Sequence, residues 1–395
     1  MLGPPETKSP PVVAATEGPK ASTGKGLSNK DSTGKAEGYA RARYAAHSHI
    51  RRILSAQAAK EQPGKHPGNV YRTAACTWVP VDSPTMVRPV GRESWHYKGL
   101  ATCGSVWVCP LCASKIQERR RGEVAQAVLY GVAIGRAPVM ASFTFPHRVD
   151  QPLAMLLRLQ SEAIKKLRES RGYVATMHRV GNAGRIRALE VTHGLNGWHP
   201  HTHELLFVDP KMPPAWLREV LADLWLKACT KVGLFRPGYD DEAAFLRYSV
   251  DVRAGDEGVA DYLAKLDDQS KWTTAHELTK SSSKQGKRTG QHPFALALNA
   301  STSALFVEYV QAMKGQRQLV WSRGLKAAVG IEERSDEEVA AEETEHAADR
   351  IPLTRAAWRV VLGNDARWEV LNAARVGGVP AVNELLTLLG YKEPT

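Results

Sequence analysis

The sequence predicts an α+β fold in which helices flank an antiparallel β-sheet. Between residues 138 and 266, the periodicity gives the order strand, helix, hairpin, helix, strand, helix. A parallel sheet would require a crossover helix between each pair of strands, and the hairpin lacks one. A cysteine-rich segment precedes this region, and a segment with helical patterning follows it.

Each element rests on its own pattern. Apolar runs or alternation predict strands, and apolar residues at helical spacing predict helices. The turn HGLNGW joins two strands into a hairpin. The predicted strands are 138–145, 185–192, 197–208 and 244–252, and the predicted helices are 153–171, 214–232 and 257–266.

Composition divides the chain further. Residues 1–68 form a basic arm that is poor in aromatics, predicted to be disordered over about its first forty residues and helical over 36–61. A cysteine-rich module over 69–125 is followed by the α+β domain at 126–275. A basic loop and helix at 276–330 complete that domain, and 331–395 holds an acidic linker and C-terminal helices.

The charge balance indicates a polyanionic partner. The chain has 53 Lys and Arg against 41 Asp and Glu, a formal charge of +12. Nucleic acid is therefore the first candidate partner. A membrane is not expected, since there is neither a long apolar run nor a basic amphipathic helix with a clean apolar face. The N-terminus lacks a secretory pattern, which predicts a cytoplasmic location.

The stretch GWHPHTHELLFV places alternating histidines on a predicted strand. His201 and His203 share one face, roughly 7 Å apart. Glu190 lies on the partner strand, and if its side chain is on the same face of the sheet, it supplies an oxygen ligand across the hairpin. This set predicts a catalytic Mg²⁺ or Mn²⁺ site rather than a closed zinc site. His199 is a lesser candidate, as a third ligand, a phosphate contact or a turn residue.

The cysteines predict a second metal site. In a chain without an export signal, clustered cysteines are read first as metal ligands. Cys109 and Cys112 form a CxxC pair, and Cys103 and Cys76 complete a set suited to structural zinc. His96 could replace Cys76, and the alternative is that the cysteines are small buried residues beside a tight turn. Cys229 stands alone in a predicted helix and is assigned to the core.

The phrase HPHTHELLF resembles the signature of the HUH endonucleases. More narrowly, the sequence is similar to the rolling-circle replication initiators of the Gram-positive plasmid replication protein type 1 family. PVMASFTFPH resembles the first motif of that family, LEVTHGLNGWHPHTHELLF the second and ADYLAK the third. CGSVWVCPLCASKI and LVWSRGLK resemble its cysteine stretch and its downstream segment. The resemblance spans roughly residues 103–326.

The resemblance implies an HUH nuclease core that nicks single-stranded origin DNA through a tyrosine. Tyr262 matches the nucleophile, and Lys265, one helical turn later, is placed to hold phosphate charge. Tyr248 is the alternative nucleophile. The expected partners are plasmid origin DNA and a host helicase and polymerase. The host proteins are expected because no P-loop motif is present, so the chain should not hydrolyse ATP. The rivals are an HUH relaxase or transposase, and a non-catalytic zinc-containing DNA-binding protein.

One position departs from the family pattern. Some members carry a glutamate four residues before the tyrosine, where this chain has Gly258. Glu257 or Asp261 could supply the carboxylate that ends the reaction cycle. The clusters Arg119–Arg121 and Lys284, Lys287 and Arg288 are candidate phosphate contacts, although the arginine run could equally be a solvated helix face.

Overall fold

The computed structural model describes residues 29–91, 93–254, 290–342 and 347–392, with side chains from residue 37 onward. Contacts divide the chain into two units, residues 1–38 and residues 39–395. In the first unit the structure describes only the start of the first helix, and the second unit holds both sheets. Apart from residues 29–38 of the first helix, the features below belong to the second unit.

The strands are β1 (Pro80–Pro89), β2 (His96–Leu100), β3 (Ala137–Phe143), β4 (Arg185–Gly194), β5 (Gly197–Val208), β6 (Val250–Ala254), β7 (Leu319–Trp321) and β8 (Ala347–Pro352). The helices are α1 (Asn29–Glu61), α2 (Pro67–Val70), α3 (Pro110–Ala133), α4 (Leu153–Glu169), α5 (Arg171–Arg179), α6 (Pro214–Val232), α7 (Glu242–Tyr248), α8 (Pro293–Leu296), α9 (Ser303–Ala312), α10 (Leu325–Val329), α11 (Asp336–Ala341), α12 (Arg355–Gly363) and α13 (Arg367–Leu388).

The predicted α+β class is confirmed. A five-stranded sheet has the order β6-β3-β5-β4-β7, and all its neighbouring strands are antiparallel. The predicted β4–β5 hairpin is present and occupies the centre of this sheet with β3. The predicted helix 257–266 lies outside the described residues.

The two faces of the sheet are covered by different elements. Helices α4 and α6 pack on the face that includes Leu206 and Val208. On the opposite face, Leu205 and Phe207 pack with residues from the C-terminal half of α3. The histidines share this second face, so the apolar end of β5 fixes the strand whose other end carries the candidate ligands.

Three assignments of secondary structure need correction. Residues 242–248 form α7 instead of a strand, because Asp241 caps a helix by accepting a hydrogen bond from the Ala244 amide. The strand starts only at Val250, where β6 pairs with Phe143. The single helix predicted over 153–171 ends at Glu169, and Ser170 caps the separate helix α5.

The third correction concerns a second sheet, with the order β2-β1-β8. β1 and β2 belong to the segment predicted as a cysteine-rich module, and β8 to the segment predicted as linker and helices. Helices α12 and α13 are present as expected and share a separate core with Met86 and Ile351. Long-range strand pairing thus joins two segments that the composition separated.

Within the described residues, no helix combines the length and apolar character needed to cross a membrane.

Candidate metal centres

The β4–β5 hairpin brings the predicted ligands together. Glu190 is the register partner of His201, and His203 pairs with Ala188 two residues earlier on β4. Directly paired residues project to the same side of an antiparallel sheet. Glu190, His201 and His203 therefore share one face, while Thr202 points to the other and accepts a hydrogen bond from Gln160.

The three ligand atoms converge closely enough to hold one ion. Glu190 Oε2 lies 2.9 Å from His201 Nε2 and 3.0 Å from His203 Nε2, and the set falls within 4.8 Å. Adjacent ligands of an octahedral ion with bonds of about 2.1 Å are about 3 Å apart, which matches these separations. The donor set of one carboxylate and two imidazoles therefore fits a divalent metal.

Hydrogen bonds behind the imidazoles fix how they face the carboxylate. His201 Nδ1 donates to the His199 carbonyl at 3.2 Å, and His203 Nδ1 lies 2.8 Å from Ser142 Oγ. A carbonyl oxygen only accepts, so His201 carries its proton on Nδ1 in this bond. Its Nε2 faces Glu190, and the attraction between the two requires either a second proton on the ring or a metal ion bound to both.

Electrostatics keep Glu190 ionised. Burial by itself would raise the pKa of this carboxyl, but the neighbouring His201 imidazole and the hydrogen bonds from His201 and His203 hold the pKa well below its usual range. An ionised carboxylate beside two imidazoles is the form that binds a metal ion.

His199 lies next to this group but takes no part in it. Its Nε2 is 2.6 Å from Thr144 Oγ1, and its ring stacks on that of His147 at a centroid distance of 4.6 Å. Burial, followed by the charges of His201 and His147, lowers the pKa of His199 to about 3. The structure therefore places His199 as a neutral neighbour whose carbonyl supports His201.

Several residues around the site were not singled out from the sequence. Ser142 and Thr144 lie on β3 and directly after it, and His147 follows in the same quoted stretch PVMASFTFPH. Asp251 on β6 is paired with Ser142, which places it on the histidine face. The position of Ser142 opposite His203 follows only from strand pairing.

His292 approaches the site from a later part of the chain. Burial lowers its pKa to about 4, against the opposing influence of the nearby Glu190 carboxylate. The preceding residue, Gln291, forms a bridge with His193 at the end of β4.

The predicted nucleophile lies outside the described residues. The same is true of Lys265, Glu257, Asp261 and the cations of the 276–330 loop, namely Lys284, Lys287 and Arg288. The alternative nucleophile, Tyr248, is the last residue of α7 and is 67% exposed. Tyr248 lies just before β6. Asp251 of β6 and His203 of β5 are both register partners of Ser142 on β3.

The four predicted cysteines form a second, buried group. Cys76 Sγ lies 3.6 Å from Cys109 Sγ and 3.5 Å from Cys112 Sγ, and Cys103 Sγ lies 3.7 Å from Cys112 Sγ. Tetrahedral zinc with Zn–S bonds of about 2.3 Å separates its sulfurs by about 3.8 Å. The geometry therefore fits a tetrahedral metal site.

The local structure explains how the CxxC pair is presented. Cys109 caps the N-terminus of α3 and accepts a hydrogen bond from the Cys112 amide. Hydrogen bonds from Cys103, Cys109 and Cys76 hold the pKa of the Cys112 thiol well below its usual range. His96 lies on β2 and is not in this group. Cys229 is buried in α6, as predicted.

The arginine run of α3 is only partly a solvated face. Arg120 is buried and forms ion pairs with Glu123 at 2.9 Å and Asp336 at 2.8 Å. Arg119 contacts Glu123 as well, and Arg121 pairs with Glu118. Arg120 therefore joins α3 to α11 through Asp336, whereas the pairs of Arg119 and Arg121 lie within α3.

Comparisons with known proteins give a consistent but partial likeness. No family model matches the chain, and no solved structure matches it. It is 27% identical over 299 residues to a Streptomyces lividans protein named Protein rep, covering 59% of this chain and 65% of that protein. It is 30% identical over 135 residues to a Streptomyces cyanogenus protein named Neomycin resistance protein, covering 28% of this chain and 31% of that protein. The chain thus spans less than two thirds of either relative.

Proposed function

We propose that this protein is a plasmid rolling-circle replication initiator that nicks and rejoins one DNA strand at the origin. The observation that carries the proposal is the convergence of Glu190, His201 and His203 on one face of an antiparallel sheet. Similarity to a protein named Protein rep supports the replication role. The formal charge of +12 suits a DNA partner.

Glu190, His201 and His203 would hold Mg²⁺ or Mn²⁺. The bound ion would polarise the scissile phosphate and orient it for in-line attack. The chain itself supplies the orientation of the ligands. Ser142 and the His199 carbonyl hold the imidazoles from behind, and Thr144 holds the His199 ring.

Tyr262 is the proposed nucleophile. Its Oη forms a bond to phosphorus as the P–O3′ bond breaks; the phenolic proton is lost, and the departing oxygen takes a proton to become a 3′-OH. The 5′-phosphotyrosyl link keeps the energy of the broken phosphodiester, so a later 3′-OH can reverse the step and rejoin the strand. Lys265 would hold phosphate charge, and Glu257 or Asp261 would serve as the base that ends the cycle.

The residues that directly follow the segment carrying Tyr262 support a role of that segment at the Glu190 group. Gly290 lies against Thr192 of β4, and His292 lies close enough to Glu190 to sense its charge. The chain that carries Tyr262 therefore rejoins the described fold beside the candidate metal group. A host helicase and polymerase would supply unwinding and synthesis.

Cys76, Cys103, Cys109 and Cys112 would bind structural zinc. All four are buried, and their thiol separations match a closed tetrahedral site, which leaves no position for substrate. The zinc would fix the start of α3 relative to the segment around Cys76.

A covalent-adduct assay tests the nicking proposal. The full chain is incubated with Mn²⁺ and a single-stranded oligonucleotide that carries the origin of its plasmid and a 3′ label. A labelled protein band on a denaturing gel is expected. Tyr262→Phe and Glu190→Gln should abolish the band, whereas Tyr248→Phe should retain it as the matched control.

Three results would contradict the proposal. DNA binding without an adduct at any origin sequence would favour a non-catalytic zinc-containing DNA-binding protein. An adduct that survives Tyr262→Phe but not Tyr248→Phe would move the nucleophile to α7. An adduct formed only on transfer or transposon-end sequences would instead favour a relaxase or a transposase.

A further inference from the structure

A large cleft runs along the outer edge of β7. Its volume is about 1110 Å³. One wall is β7 with the loops on either side of it, and the other includes residues 103–108, which begin at a candidate zinc ligand. Gly104 lies at a tight point, where an added Cβ would come within 2.8 Å of the Glu337 Cα. The segment that follows Cys103 therefore packs closely against the segment around Glu337.

The strand register connects this cleft to the candidate metal group. β7 is at the end of the five-stranded sheet, and its Leu319 pairs with Ala188, which in turn pairs with His203. Neighbouring strands are about 4.8 Å apart, so two steps across the sheet cover about 10 Å. The cleft thus begins roughly 10 Å from the candidate ligands, a distance that a continuous nucleic-acid strand spans easily.

The lining cations that form no ion pair with a described residue lie on either side of β7. Lys314, Arg317 and Arg323 line it, are exposed, and form no ion pair with any residue that the structure describes. Three of the four other lining cations are paired with carboxylates that also line the cleft. These pairs are Arg72–Glu337, Arg120–Asp336 and Lys326–Glu333. The fourth, Arg334, is paired with Glu332 and Glu342.

We propose that this cleft binds the phosphates of a single DNA strand through Lys314, Arg317 and Arg323. The inference rests on the proposed function, since the strand would be the one presented to the Glu190 group. Unpaired cations along an open groove attract a polyanion, and the half-buried Trp321, with Lys326 Nζ 5.7 Å from its ring centroid, adds an aromatic side chain to the lining. The charge makes a nucleic acid the fitting occupant of this edge, in preference to a peptide strand.

Salt-dependent binding tests the proposal. Fluorescence anisotropy of a labelled oligo-dT is measured on the full chain at NaCl concentrations from about 50 to about 400 mM, without added divalent metal. The variant Lys314→Ala/Arg317→Ala/Arg323→Ala should weaken binding about tenfold or more at low salt. It should also lower the slope of log K against log salt by about 2, since each single-strand phosphate contact contributes about 0.7.

The matched control removes three exposed cations elsewhere, with Lys166→Ala/Arg171→Ala/Lys231→Ala. An equal loss of slope in both variants would overturn the assignment, because the effect would then be one of net charge. Crosslinking gives a second measurement. A benzophenone maleimide on Arg317→Cys should crosslink the oligonucleotide, and the same label on Lys231→Cys should not; crosslinking of both alike would contradict the proposal.

These results are separable from the outcome of the nicking assay. A normal adduct with an unchanged salt slope in the triple variant would reject the cleft while retaining the nickase. A selective loss of slope in a protein that never forms an adduct would reject the nickase while retaining the cleft as a DNA-binding surface.

Discussion

Ser142 matters because it lies directly behind a candidate ligand. Its hydroxyl is 2.8 Å from His203 Nδ1 and holds the ring while Nε2 faces Glu190. Groups that orient a ligating histidine often change metal affinity as strongly as some ligands do. Ser142 can therefore be tested without removing any of the metal-binding atoms.

Ser142→Ala should weaken Mn²⁺ binding about 10- to 100-fold, because the His203 ring loses its fixed orientation. Isothermal titration calorimetry on the full chain measures the affinity, with Ser142→Thr as the control that keeps a hydroxyl. Equal affinity in the alanine and threonine variants would show that the hydroxyl does not orient the ligand.

Gly104 allows its backbone to lie against the Glu337 backbone. A side chain at this position would displace one of the two segments. Its φ is +65°, and its Cβ position is filled by the Glu337 backbone. Gly104→Ala should lower the free energy of unfolding by about 1–3 kcal/mol. Gly91→Ala is the matched control, since Gly91 has φ +72° but open space around it. Urea denaturation should show a larger loss of unfolding free energy for Gly104→Ala than for Gly91→Ala. Equal losses would show that the contact with Glu337 does not contribute to the effect.

At the level of elements, a buried ion pair joins α4 to β5. Arg168 on α4 bonds to Glu204, which lies on the face of β5 opposite the histidines. Glu204 is only 2% exposed, and Tyr173 of α5 also donates to it. This contact fixes the helix layer to the same strand that carries the candidate ligands.

Arg168→Met should lower the free energy of unfolding by up to about 3–5 kcal/mol, because the buried Glu204 would lose its bonded cation and keep only the influence of Arg187, its register partner on β4. The double variant Arg168→Met/Glu204→Gln should recover most of that loss, since the unpaired charge is gone. Chemical denaturation of the two single variants and the double variant measures the coupling. If the losses simply add, the two residues do not act as a pair.

Local patterns predicted the central elements well and the remote ones poorly. Alternation along β5 was sufficient to place His201 and His203 on one face, whereas Glu190 joins that face through the hairpin register that pairs it with His201. The strand predicted from 244 was wrong because the Asp241 cap outweighs the β-forming residues that follow it. The position of Ser142 behind His203 depends on the pairing of β3 with β5, which no local window contains.

At the scale of the whole molecule, the cysteine group was predictable as a set, but its structural partners were not. The spacing of Cys103, Cys109 and Cys112 indicated a metal site, whereas the second sheet beside it depends on β8. Arg88 and Asp349, which are joined across β1 and β8, are 261 residues apart. Contacts of that range have no signature in composition or periodicity.

Zinc should be present in the purified protein at about one ion per chain. Cys109→Ser/Cys112→Ser should abolish it and lower the Tm, because metal binding contributes directly to the stability of such sites. Elemental analysis and thermal unfolding measure the two effects, with Cys229→Ser as the control outside the group. Unchanged zinc content in the double variant would place the metal elsewhere.

The union of β1 with β8 also affects how the protein is made. A ribosome adding about 5–20 residues per second completes β1 on the order of 10–50 s before β8 emerges. Met86, fully buried in the finished fold, lacks part of its cover during that interval. Chains that stop before β8 retain every candidate ligand of the histidine hairpin but expose this apolar edge. We therefore expect incomplete copies to aggregate or be degraded.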